Sequence, residues 1–246
     1  MINLLDNLEI AKLAAITAGQ YLKRNFYKNH KIILDDGRDI KLKIDQDTEA
    51  IILECINKNS EIPILSEESG VSDILGDTYW IVDPLDGSSN YLRGIDTCAV
   101  SIALFHKNKS ILGVINDFMN DDLYYATKGK GAFCNNSKLK VSDIKNSKQG
   151  TIMTGIPSKK EYTNEEFIQI LNLFQHWKKV RMIGSAAISN LYVAAGKADC
   201  YKEKDTFIWD VAAGAIIVEE AGGLSTLTEI QSDYRVSAVF TNGKVN

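Results

Sequence analysis

Two carboxylates three residues apart stand in the run 80–91, WIVDPLDGSSNY. Asp83 follows the apolar Trp80-Ile81-Val82 and precedes Pro84, which has no N–H to continue a ladder. The spacing therefore predicts a strand that ends with Asp83 at its carboxyl edge, where layered α/β proteins gather their ligands. Asp86 precedes Gly87-Ser88-Ser89, small residues whose backbone N–H groups can approach an anion, the more so where a helix begins. Two carboxylates beside an anion cradle repel a phosphate unless cations lie between them, and hard oxygen ligands favour Mg²⁺. The same D-P-x-D-G string is also a good plain turn, each Asp bonded to its own backbone. On these residues alone both readings stay open.

Further acids lie elsewhere in the chain. Glu67 and Glu68 follow the short apolar run PIL, and adjacent acids at a strand end repel each other unless positive charge lies near or the loop is solvated. Asp210, after Trp209, and Asp45 each stand at the start of an apolar-periodic segment, where a helix cap accounts for them. Glu203 stands between Lys202 and Lys204, as an exposed strand-end charge would.

Other chemistries are poorly supplied. The four cysteines (Cys55, Cys98, Cys134, Cys200) are scattered without CxxC spacing, and so are the three histidines (His30, His106, His176). Neither a zinc site, a Ser-His pair nor a disulfide framework follows, and a reducing, cytoplasmic setting fits. The net charge of −4 over 246 residues, with no basic stripe, argues against a nucleic-acid partner. The first segment has neither a signal peptide's apolar centre nor a membrane span, so no membrane partner is expected.

The elements that must position these acids are legible in outline. Leu5, Leu8, Ala11, Ala15, Ala18, Leu22 and Phe26 predict a long amphipathic helix, and Ile51, Ile52, Cys55 and Ile56 a second one after Asp45. Strands are expected at 62–65 and 79–82. From 97 to about 141, β-rich stretches separated by turn residues predict an antiparallel meander. Beyond 142 strands and helices alternate: strands near 151–154, 179–182 and 198–202, helices from about 165, at 185–195 and at 210–221. That change of rhythm divides the chain into an α+β part, 1–142, and an α/β part, 143–246. Without a Pro-rich or low-complexity linker, the two are expected to pack together.

At this point the chain resembles the inositol monophosphatase family along nearly its whole length. LSEES at 65–69 resembles the family's first acidic motif and WIVDPLDGSSNY its central signature. KGKGAFCN at 128–135 is similar to its β-hairpin segment, and WDVAAGAIIVEEAGG at 209–223 to its second signature. The resemblance implies a layered αβαβα sandwich (α+β followed by α/β) and a homodimer; family members commonly run on past the last strand into a helix, whereas this sequence stops after VSAVFTNGKVN.

It also implies hydrolysis of a phosphate monoester by water. Glu68, Asp83 and the carbonyl of Leu85 would hold one Mg²⁺, Asp83, Asp86 and Asp210 a second, with a third, weaker ion near Glu68. Such ions, about 3.5–4 Å apart, clamp both the attacking and departing oxygens. Ser88, where the family more often has threonine, would pair with Asp45 to orient or deprotonate the water. The N–H groups of Gly87 and Ser88 would hold phosphate oxygens. Asp86, the Ser185-Ala186 backbone and Glu203 would meet the hydroxyls of a phosphorylated polyol, with Asp210 beside them. The implied substrate is inositol-1-phosphate. A 3′-phosphoadenosine-5′-phosphate phosphatase, a fructose-1,6-bisphosphatase and a catalytically inactive ligand-binding relative are the alternatives. The segment DIKLKID ending at Asp45 lacks the family's usual threonine pattern, which bears on the third ion.

Overall fold

The computed structural model describes residues 2–36, 39–156 and 161–246. Helix α1 (Leu4–Asn25) starts on the cap of Asn3, whose side chain accepts from the N–H groups of Leu5 and Asp6, and it buries the small stripe Ala11, Ala14, Ala15 and Ala18. A hairpin, β1 (Ile32–Asp36) with β2 (Asp39–Leu42), leads into α2 (Lys43–Asn57). No strand is expected there from the elements set out above. Strands β3 (Ile64–Ser66), β4 (Gly70–Val71) and β5 (Thr78–Asp86) follow, then the single turn α3 (Ser88–Leu92). The predicted meander is β6 (Ala99–His106), β7 (Lys109–Asp117), β8 (Asp122–Thr127), β9 (Ala132–Cys134) and β10 (Ser137–Lys138).

The second part alternates as expected through β11 (Thr151–Thr154), α4 (Asn164–Gln175), β12 (Lys179–Arg181), α5 (Ala186–Ala194), β13 (Cys200–Phe207) and α6 (Ile208–Glu220), and then adds two consecutive strands, β14 (Leu224–Leu227) and β15 (Arg235–Thr241). Eight strands form one sheet in the order β10-β9-β8-β7-β6-β5-β3-β4, and five form another in the order β12-β11-β13-β15-β14. We propose the subdomain boundary at 142/143, in the segment between the two sheets.

Two apolar clusters show the layering. One joins α1 and α2 to one face of the larger sheet through Leu22, Ile52, Trp80, Val82 and Leu104. The other joins the opposite face, through Ile81, Ala103 and Ile115, to α5, α6 and the inner face of the smaller sheet. Helix α6 lies between two sheets and is accordingly apolar on all sides, with Val211 to Val218 buried without a break. It approaches β7 so closely that a Cβ on Gly113 would stand 2.5 Å from the Ala213 carbonyl oxygen. With α4 beyond the smaller sheet, across a cavity it shares with Thr154 and Lys202, the whole is a layered αβαβα sandwich.

One boundary differs from expectation. Strand β5 does not stop at Pro84 but runs to Asp86, because the pairing shifts between Asp83↔Ser101 and Asp86↔Ala99. Three steps on β5 match two on β6, so Pro84 sits in a bulge, where its missing N–H costs no ladder bond. The bulge lets one strand deliver both carboxylates.

Candidate metal centre

Asp83, Asp86 and Asp210 each offer an oxygen within 4.8 Å of the other two. Asp83 and Asp86 are 1% and 9% exposed, on and just beyond the bulge of β5. Asp210 arrives on the first turn of α6, where its carboxylate accepts from the Phe207 N–H at 3.0 Å and from the Thr206 hydroxyl at 2.6 Å. It closes the helix start and faces the cluster with the same group.

Asp86 is held from the far sheet's helices. Its carboxylate accepts from the Ser185 hydroxyl, from the Ala187 N–H at 2.8 Å and from the Ala186 N–H at 3.3 Å, at the start of α5. The Ser185-Ala186 segment, assigned by resemblance to polyol hydroxyls, thus spends these donors on Asp86.

The acidic pair divides its two members. Parallel pairing of β3 with β5 sets Leu65 against Ile81 and Ser66 against Val82. Ile81 and Leu65 face α6, whereas Val82 faces α2. Side chains alternate along a strand, and the Glu67 N–H continues the pairing onto the Val82 carbonyl, so Glu67 follows Leu65 toward α6, while Glu68 lies in the turn beyond. Accordingly, Glu67 is half-buried and lies close enough to Asp210 for the two charges to repel. Glu68 instead pairs with Lys41, Oε1 to Nζ 3.0 Å. The resemblance placed Glu68 among the metal ligands and catalytic groups; strand parity turns Glu67, not Glu68, to the cluster. Parity was readable from the sequence once Ile81 and Asp83 were assigned to one face.

The electrostatics are those of a site short of positive charge. Burial, then repulsion from Glu67, Asp86 and Asp210, pushes Asp83 well above the usual carboxylate range. Burial, then Asp210 and Glu68, does the same to Glu67. Burial, then Asp86, pushes Asp210 up to about 8. Asp86 rises only to about 6, because donors from Ser185, Ala187 and Ala186 oppose the effect of burial. Carboxylates so placed take up protons or cations, and an all-oxygen set suits a hard divalent ion. The residues fit a metal centre.

Asp45 sits on the first turn of α2, 2% exposed. One oxygen accepts from the Leu42 N–H at 2.7 Å, and the other, Oδ1, is buried without a protein partner. Burial, opposed by that bond, lifts Asp45 to about 7, and the nearby Ser88 hydroxyl favours the charged form. Ser88 Oγ itself donates to the Leu85 carbonyl at 2.9 Å. Gly87 before it has φ 91°, and a Cβ there would stand 2.9 Å from the Thr97 carbonyl oxygen, so the turn after Asp86 requires glycine. Glu203 accepts from the Tyr201 hydroxyl at 2.9 Å. Burial lifts it to about 7, with Asp86 adding to the effect.

A sequence model of the "Inositol monophosphatase family" matches residues 4–243. The chain belongs to the inositol monophosphatase family. A relative from Aquifex aeolicus named "Fructose-1,6-bisphosphatase/inositol-1-monophosphatase" is 33% identical, over 99% of this chain and 93% of its own. One from Pasteurella multocida named "Nus factor SuhB" is 37% identical, over 88% and 83%. The solved inositol monophosphatase from Anabaena superposes with a TM-score of 0.86 at 32% identity, over 99% and 93% of the chains. The family supports a metal-dependent phosphatase acting on a small phosphorylated molecule. Among the described residues, no helix is long and apolar enough to cross a membrane.

Proposed function

We propose that the protein is a Mg²⁺-dependent phosphoric monoester hydrolase with inositol-1-phosphate as its substrate, working as a cytoplasmic homodimer. The observation that carries this is the convergence of Asp83, Asp86 and Asp210 within 4.8 Å. In this reading Asp83, Asp86, Asp210, Glu67 and the Leu85 carbonyl hold the ions, with Glu67 taking the place given to Glu68 by resemblance. Bound divalent ions supply charge neutralisation for the phosphoryl oxygens and lower the pKa of water.

The chain's own residues do the rest. Asp45 Oδ1, an acceptor without a protein partner, takes the water proton, helped by Ser88. The N–H groups of Gly87 and Ser88 receive phosphate oxygens. Glu203 faces the alcohol, and Ser185 and Ala186 serve that contact through Asp86, which they hold. The double name of the Aquifex relative keeps fructose-1,6-bisphosphate in view as a second substrate.

The test is phosphate release with Mg²⁺ over inositol-1-phosphate, fructose-1,6-bisphosphate, 3′-phosphoadenosine-5′-phosphate and an aryl phosphate. Equal rates for the parent and Asp83→Asn would sink the reading, and preference for the nucleotide would change the substrate while keeping the chemistry. The "Nus factor" name of the Pasteurella relative supports a second, transcription-related reading. Its test is association with a transcription complex assembled in vitro, compared between the parent and Asp83→Asn.

A further inference from the structure

Helix α2 carries a second buried acid one turn beyond Asp45. Glu49 is 4% exposed, yet it belongs neither to the carboxylate cluster nor to an ion pair among the described residues. Its Oε2 accepts from the Ser66 hydroxyl and, at 2.9 Å, from the Glu68 N–H. Those two donors flank Glu67. Between them the Glu67 N–H donates to the Val82 carbonyl at 3.2 Å, and beyond them Glu68 is tied to Lys41 at 3.0 Å. The backbone of 66–68 is thus gripped from α2 on one side and from β5 on the other.

We propose that Glu49 is a positioning residue of the cation site: by holding the Ser66 hydroxyl and the Glu68 N–H, it aims Glu67 at Asp83 and Asp210. The chemistry requires such a device. Beyond Ser66 the strand ends, and Glu67 must extend into a group of like charges that repel it. Without a fixed backbone its carboxylate would turn to solvent. A carboxylate acceptor makes charge-assisted bonds, stronger than those of a neutral one, and both go to backbone-proximal donors, so they set the direction of the chain rather than a flexible tip. Because α2 also bears Asp45, one helix orients both the general base and, through Glu49, a cation ligand. This inference rests on the proposed reading of the cluster as a divalent-cation site.

The experiment measures the Mg²⁺ dissociation constant by calorimetry, together with metal-free Tm, for the parent, Glu49→Ala, Glu49→Gln, Ser66→Ala, Asp83→Asn and the surface control Glu54→Gln. Loss of a group that orients a metal ligand weakens binding about 10–100-fold, and that is expected for Glu49→Ala. Glu49→Gln keeps an acceptor oxygen and recovers most of the affinity, Ser66→Ala falls between, and the KM for substrate at saturating Mg²⁺ stays within about twofold. A folded Glu49→Ala that binds Mg²⁺ as the parent does overturns the inference. So does a loss of affinity that merely tracks metal-free Tm across the series. If Glu49→Ala does not fold, unchanged affinity in Ser66→Ala overturns it. A parent that binds no Mg²⁺, or binds it no better than Asp83→Asn, overturns instead the cation reading beneath it.

Discussion

Replacing Glu67 by Gln should stabilise the metal-free protein while disabling the loaded one, and replacing Glu68 should do neither. Unit charges at the 4.8 Å spacing of the Asp83, Asp86 and Asp210 oxygens repel by about 3.5 kcal/mol at an effective dielectric of ~20. Glu67 joins that repulsion through Asp210. Proton uptake by the cluster absorbs part of it, leaving on the order of 1–2 kcal/mol to be gained at pH 8 by Glu67→Gln. For a chain of this size that raises metal-free Tm by roughly 2–8 °C. With Mg²⁺ the sign reverses. A lost anionic ligand costs about 3 kcal/mol, roughly 100-fold in Mg²⁺ affinity, and kcat/KM falls at least as far. Glu68→Gln breaks an ion pair whose Lys41 side chain is 28% but whose Glu68 side chain only 6% exposed, costing about 1–3 kcal/mol. Its Mg²⁺ affinity stays within about threefold, under 1 kcal/mol. Thermal melts in EDTA and in Mg²⁺, with phosphate-release kinetics, separate the cases. If Glu68→Gln loses activity as Glu67→Gln does, or if Glu67→Gln lowers metal-free Tm, the assignment by strand parity is refuted.

Burial pushes Asp45, Asp86 and Asp210 up to about 7, 6 and 8, well above the usual carboxylate range. The native state therefore holds protons that the unfolded chain releases, and its stability is full below about pH 4 and lost as pH rises through 6 to 8. In EDTA, Tm should fall by several degrees between pH 5.5 and 8.5. In Mg²⁺ the dependence should flatten or reverse, and a rising Tm in EDTA contradicts the reasoning. Asp45→Asn should lower kcat by about 10²–10⁴ with Mg²⁺ affinity little changed, and a parallel loss of affinity measured by calorimetry would make it a ligand instead. Gly113→Val should cost more than about 3 kcal/mol, because the added atoms meet the α6 backbone at 2.5 Å; a denaturation midpoint within error of the parent would contradict that packing.

Local chemistry made much of this protein legible. The small-residue stripe of α1, the turn-punctuated meander and the strand-helix alternation after 142 all carry their own periodicity, which is why those elements fall where expected. The hairpin of β1 and β2 has a local signal too, the alternation Ile40-Lys41-Leu42-Lys43 after the turn dipeptide Asp36-Gly37, but its strands are too short to stand out beside the helix that follows. Pro84 misled by a general rule: proline ends a ladder unless a bulge excuses its missing N–H, and only the partner strand's register reveals the bulge.

The site divides in the same way. Residue types alone left Asp83 and Asp86 open between a plain turn and a metal site and gave Asp210 a helix-cap reading; the family resemblance is what joined the three, and the fold brings them together. Which glutamate of the adjacent pair joins them could not be settled by type. It follows from the parallel pairing of β3 with β5, which puts Glu67 on the α6 side, and from the turn after it, which leaves Glu68 on Lys41. The service of Ser185 and Ala186 to Asp86, and the grip of Glu49 on Ser66 and Glu68, likewise join residues 99 and 17 positions apart. Hydrogen-bond partners at such separations are chosen by how layers stack. Sequence determined which chemical groups were available to the centre, and the stacking of α2, the larger sheet and α6 decided which of them face one another.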